Sequence, residues 1–254
     1  STIPGSISMS ALIEATCNQV NQYGGYTGVT PAQFVLNVTK MAENLGFSRN
    51  NLILGGDHLG PLVWSNEPAA NAMEKAKILV HEYVQAGFSK IHLDCSMPCG
   101  DDTNLPVEEI ANRSAELARV VEDNLTGKND ADKEKSLVRF VIGSEVPAAG
   151  GAKAGEDHLT VTNPADAAET IQLTKSAFIS RGLSPAWDQV IALVVQPGVE
   201  FGDTSVHEYN RNAAAGLTNF IKNIPGLVYE AHSTDYQTRE ALKQMVEDNF
   251  AILK

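Results

Sequence analysis

Long apolar runs are missing from this 254-residue sequence: none approaches the roughly 18 residues that cross a bilayer, so no membrane-spanning helix is expected. Its first residues, STIPGSISMS, lack the charged and apolar parts of a secretory leader, and a soluble, cytoplasmic protein is expected. Basic stretches are scarce too. Nineteen Lys and Arg against 31 Asp and Glu give a formal net charge of −12, which argues against nucleic acid or an anionic membrane as partner. Cysteine is limited to Cys17, Cys95 and Cys99, an odd count whose 95/99 spacing fits neither a C-x-x-C redox pair nor a four-thiolate zinc site; all three are expected reduced. The nucleotide motifs are absent as well. No G-x-G-x-x-G follows the first strand, and neither a P-loop nor a kinase glycine-rich loop is present.

What is there suits one large core. With 43% hydrophobic and 20% charged residues, the chain has the length of a single α/β barrel, and residues 1–254 are read as one domain. The central stretch is Asn51 to Pro61, NLILGGDHLGP. Leu52, Ile53 and Leu54 form an apolar run without helical spacing that breaks at Gly55 and Gly56 and leads into Asp57 and His58. Such a pattern predicts a buried strand whose end carries Asp57 and His58 into a loop. Similar strands are expected at Ala11–Cys17, Lys90–Asp94, Leu137–Gly143, Val190–Val195, Leu227–Ala231 and from Phe250. Helices are expected between them. Thr30-Pro31 opens one to about Leu45, Asn66–Ala86 forms one closed by Gly87, Leu105-Pro106 starts one to about Asn124, and Asn163-Pro164 caps one to Arg181. Two more helical segments lie between the last strands, and the Gly- and Ala-rich stretch from Pro147 to His158 is expected to be a mobile loop.

Alternating strands and helices, with strands too apolar for a surface sheet, mean a parallel sheet with helical crossovers. Polar residues at nearly every strand end favour a (β/α)8 TIM barrel over a doubly wound sheet, with the first βα unit and the C-terminal helix absent from this chain. Those ends collect Asn18 and Gln19, Asp57 and His58, Asp94 and Ser96, Glu145, Gln196 with Glu200, and Glu230 with His232 and Asp235. In a barrel they converge on one mouth. Two histidines and several carboxylates suit a divalent ion of the Zn, Mn or Fe type, with His58, Glu145 and His232 as ligands. Asp57 and Asp94 are candidate catalytic residues, and Asn18, Gln19, Ser96, Gln196 and Asp235 are candidates for substrate binding. His81, His92, His158 and His207 lie in helices, loops or away from the strand end, and are assigned to structure.

The segments IEATCNQVNQYGGYTG, LGGDHLGP, GFSKIHLDCSMPC, IGSEVP, VVQPGVEF and YEAHSTDYQ together resemble the accessory subunit family of D-tagatose-1,6-bisphosphate aldolase, over essentially the whole chain. That family is related to class II aldolases. The resemblance implies a noncatalytic partner of a catalytic class II aldolase subunit, a sugar phosphate as ligand, an oligomer, and a place in galactitol, N-acetylgalactosamine or tagatose catabolism. It also implies that Asp57 is a proton-transferring aspartate beside a metal-ligand histidine, His58, and that Glu156 sits where aldolases carry an acid-base glutamate on a mobile loop. Two departures stand out. Gln196 and Glu200 occupy the place of a second metal histidine, and His232-Ser233-Thr234-Asp235-Tyr236 replaces the glycine-rich phosphate loop. Related epimerases suggest a second reading, a metal-dependent ketohexose 4-epimerase interconverting tagatose 6-phosphate and fructose 6-phosphate.

Overall fold

The computed structural model describes residues 10–125, 137–144 and 159–254. Glu145, Glu156 and the Gly/Ala-rich loop lie outside the described residues. Two compact units emerge, one made of Ser1–Leu93, Pro98–Asp102 and Glu116–Arg139, the other of Asp94–Met97, Thr103–Ala115 and Phe140–Lys254. Both are mixed α/β with parallel strands.

In the first unit, β1 (Ala11–Thr16), β2 (Leu52–Leu59) and β3 (Lys90–Leu93) pair in parallel, β1 with β2 and β2 with β3. Helix α1 (Pro31–Asn44) begins where the sequence demands it. The Thr30 hydroxyl accepts from the Gln33 backbone N–H while the Gln33 side chain takes the Thr30 N–H, a capping box that satisfies two otherwise orphan donors. Helix α2 (Ala69–Ala86) ends at Gly87, whose φ of 96° closes the last turn without a Cβ penalty. Its inner face, Ala76, Leu79, Val80 and Tyr83, is fully buried. Tyr83 packs on Phe88 at 4.4 Å between ring centroids and donates to the Val20 carbonyl at 2.8 Å. Gly56 makes room for that ring, because a Cβ there would come within 2.6 Å of Tyr83 and Leu59 side-chain atoms.

In the second unit, β4 (Arg139–Gly143, its first residue belonging to the other unit), β5 (Val190–Val194), β8 (Val228–Ala231) and β9 (Phe250–Leu253) pair in that order, all parallel. Helix α4 (Pro164–Ser180) is capped by Asn163, as its Asn-Pro start predicts. Phe140, Phe178, Tyr229 and Phe250 fill the core without exposure. Short elements that the periodicity did not reveal are a one-turn helix, α5 (Ser184–Trp187), and an antiparallel hairpin of β6 (Glu200–Phe201) and β7 (Val206–His207). Helices α6 (Ala215–Ile221) and α7 (Arg239–Glu247) supply the two further segments expected, and α3 (Val107–Leu125) follows Leu105-Pro106. Among the described residues, no helix is long and apolar enough to cross a membrane. The expected α/β alternation with parallel strands is therefore present.

Candidate functional site

The centre of the first unit is a break in a strand. Gly56 pairs with Ile91 and Leu59 with Leu93, so two residues of β2, Asp57 and His58, stand opposite the single residue His92 of β3. Such a bulge turns both side chains from the regular alternation, and His58 takes a φ of 48°, a conformation uncommon for a residue with a Cβ. Asp57 and His58 thus lie inside β2, which ends at Leu59, three residues beyond the strand end that the sequence predicts at Gly56. Strained positions of this kind concentrate at functional sites.

Two hydrogen bonds and one longer charge contact converge there. His92 Nδ1 lies 2.8 Å from Asp57 Oδ1, the His58 backbone N–H donates to the same oxygen at 3.0 Å, and His58 Nε2 is 3.7 Å from Asp57 Oδ2. The two imidazole rings are 5.1 Å apart. Asp57, His58 and His92 are buried, and each offers a ligand atom within 4.8 Å of the others. Imidazole and carboxylate are donor types that Zn, Mn and Fe accept, so a site built on His58 fits a divalent ion. Behind them Lys90 Nζ meets Glu14 Oε1 at 2.6 Å, with side-chain exposures of 4% and 10%. Glu14 also brings a carboxylate oxygen within 4.8 Å of Asp57. At Gly55, the β2 partner of Glu14, the Glu14 side chain occupies the space a Cβ would take. Burial raises the Tyr83 phenol far above its ordinary pKa, and negative charge on Cys17 and Asp57 adds to the effect.

His92 is the residue that sequence reasoning set aside. Its signal was the period-two pattern of Lys90 and His92 in a strand that is buried on both faces, which puts the two polar side chains on one side. Asn18 is exposed, and Gln19 lends its side-chain oxygen to the Thr16 N–H at 2.9 Å, shaping the turn after β1. Asn21, buried, ties that turn down by donating to the Cys17 carbonyl and accepting from the Tyr23 and Gly25 N–H groups. The thiols of Cys17, Cys95 and Cys99 are buried and form no disulfide.

In the second unit, Glu230 and His232 flank the end of β8. His232 Nε2 lies 3.0 Å from Glu230 Oε1, and Lys254 Nζ meets the same oxygen at 2.6 Å. A carboxylate on Nε2 selects the tautomer protonated there, which makes Nδ1 the ring's lone-pair donor when the imidazole is neutral. Asp94 Oδ1 accepts from the Ser96 N–H at 3.0 Å and hydroxyl at 2.6 Å, so these two form one turn. Gln196 is buried, its side-chain oxygen accepting from the Gly198 and Val199 N–H groups at 2.8 and 3.0 Å. Asp235 is exposed beside Tyr236, whose φ is 63°.

A family model described as D-tagatose-1,6-bisphosphate aldolase subunit GatZ/KbaZ-like matches residues 6–254. The D-tagatose-1,6-bisphosphate aldolase subunits GatZ of Salmonella dublin and Salmonella newport are each 52% identical to the chain over 244 residues, covering 96% of it. Those residues are 56% of either relative, so the chain spans little more than half the length of the curated proteins it matches. Among solved structures, a probable tagatose 6 phosphate kinase from Sinorhizobium meliloti 1021 is 44% identical with a TM-score of 0.84, covering 97% of this chain and 58% of that one. A "putative fructose-1,6-biphosphate aldolase" from Coccidioides immitis is 15% identical with a TM-score of 0.50, covering 96% and 67% of the two chains, a likeness of fold alone.

Proposed function

We propose, from the premise that this chain belongs to the D-tagatose-1,6-bisphosphate aldolase subunit GatZ/KbaZ-like family, that it serves as the accessory subunit of a class II D-tagatose-1,6-bisphosphate aldolase, stabilising and activating a catalytic partner. The observation that carries this reading is identity of 52% spread over 96% of the chain rather than confined to one motif. On this reading the chain is one (β/α)8 domain acting in the cytoplasm as part of an oligomer. The test is the cleavage rate of a catalytic class II subunit with and without this protein. A rise in rate and in half-life supports the assignment, and no change in either ends it.

A second reading is favoured by one specific observation, the burial of Asp57, His58 and His92 together at a bulge. Scaffolding alone has no need to desolvate such a group, because buried polar groups cost stability. Here the chain is a ketohexose-phosphate 4-epimerase with tagatose 6-phosphate and fructose 6-phosphate as substrates. His58 and His232 would hold a divalent cation, Zn first among Zn, Mn and Fe, with Glu145 as the carboxylate ligand. When bound, the cation would polarise a ketose carbonyl and its neighbouring hydroxyl. Asp57 moves the proton, Asp94 and Glu156 assist, and Asn18, Gln19, Ser96, Gln196 and Asp235 orient the sugar. The assignments of Glu145, Glu156 and His232 rest on the sequence. Phosphoryl transfer, in the name of one relative, is not adopted, because this sequence carries neither a P-loop nor a kinase glycine-rich loop.

A further inference from the structure

We infer that His92 is a positioning residue for Asp57 rather than a metal ligand, a role that rests on the proton-transfer reading of Asp57 above. The hydrogen-bond accounting carries the positioning half, and metal binding decides the other, because Nε2 keeps its lone pair when Nδ1 holds the proton. A base must be ionised to take a proton, and an ionised carboxylate only accepts, so on the proton-transfer reading the 2.8 Å contact between His92 Nδ1 and Asp57 Oδ1 puts the proton on Nδ1. The His58 N–H, 3.0 Å from Asp57 Oδ1 and 3.3 Å from His92 Nδ1, then donates to the carboxylate, because a protonated Nδ1 has no lone pair to offer. Asp57 Oδ1 therefore receives two donors, one from the strand backbone and one from the neighbouring strand. The register that pairs Gly56 with Ile91 brings Asp57 level with His92, and the bulge adds His58 to the same position. His92 is itself fully buried, so its ring is held by packing and fixes the carboxylate in turn.

Side-chain geometry separates positioning from ligation. Asparagine places an N–H where Nδ1 stands, glutamine where Nε2 stands, and leucine places none. Zinc added alone should therefore bind His92→Asn, His92→Gln and His92→Leu with the stoichiometry of the wild type. Crystal structures should show the Asp57 carboxylate unmoved in His92→Asn and displaced by about 1 Å or more in His92→Leu and His92→Gln. If the wild type interconverts the two hexose 6-phosphates, kcat should fall about 100-fold in His92→Leu and His92→Gln with KM little changed, and recover most of that in His92→Asn. Should His92→Leu not fold, His92→Gln carries the same arm. Loss of zinc in His92→Asn would make His92 a ligand and overturn the inference, as would an unmoved carboxylate in His92→Gln. A wild type without turnover ends the epimerase reading instead, and the carboxylate's position then decides the positioning claim.

Discussion

Replacing Lys90 by methionine removes the cation from the buried pair with Glu14 and leaves two carboxylates, Glu14 and Asp57, within 4.8 Å of each other. At 2.6 Å and an effective dielectric constant near 20, the lost attraction is on the order of 6 kcal/mol before desolvation is counted. Both side chains are almost fully shielded, with exposures of 4% and 10%, so solvent offers Glu14 little compensation. Breaking a buried pair from one side costs about 3–5 kcal/mol, and that range is adopted here. For a chain of this length it lowers Tm by roughly 6–20 °C. Chemical denaturation of Lys90→Met should show the loss at neutral pH, and the double variant Glu14→Gln/Lys90→Met should recover most of it, because no uncompensated charge is then buried. A Lys90→Met variant within about 1 kcal/mol of the wild type would refute the reasoning, since a pair this buried cannot be lost so cheaply.

Three further outcomes are expected. Gly56→Ala should destabilise by about 1–3 kcal/mol in urea, because its Cβ would meet Tyr83 and Leu59 and the core is already filled. Thr30→Ala should cost about 1 kcal/mol by removing the cap of α1, read in the same titration. Tyr83, Tyr209 and Tyr229 have phenol pKa values raised in the folded state, chiefly by burial. A raised folded pKa gives stability that is fully present below the unfolded value near 10 and lost as pH rises above it. Their phenolate absorbance should appear together with the loss of circular dichroism rather than before it.

Much of this was legible in the residues. Thr30-Pro31, Asn163-Pro164 and Gly87 mark helix ends by local hydrogen bonding and backbone freedom alone, and the structure places α1, α4 and the end of α2 accordingly. The apolar runs marked the strands, most plainly β3, β4 and β5, whose residues are buried almost throughout. What could not be read was the bulge. A strand's pairing partner is set by residues 30 or more positions away, so LGGDHL alone does not say that Asp57 and His58 share one opposing residue. His92 was set aside for that reason. The hairpin at Glu200–His207 escaped for another: each of its strands has only two residues, too few to show a period.

The central claim is decided most directly by one reconstitution. A catalytic class II tagatose-bisphosphate aldolase subunit is assayed for cleavage of tagatose 1,6-bisphosphate, alone and with this protein at equimolar concentration, and its activity is followed over hours. The account predicts a higher initial rate and slower inactivation when the protein is present. Identical rates and identical decay with and without it would contradict the account.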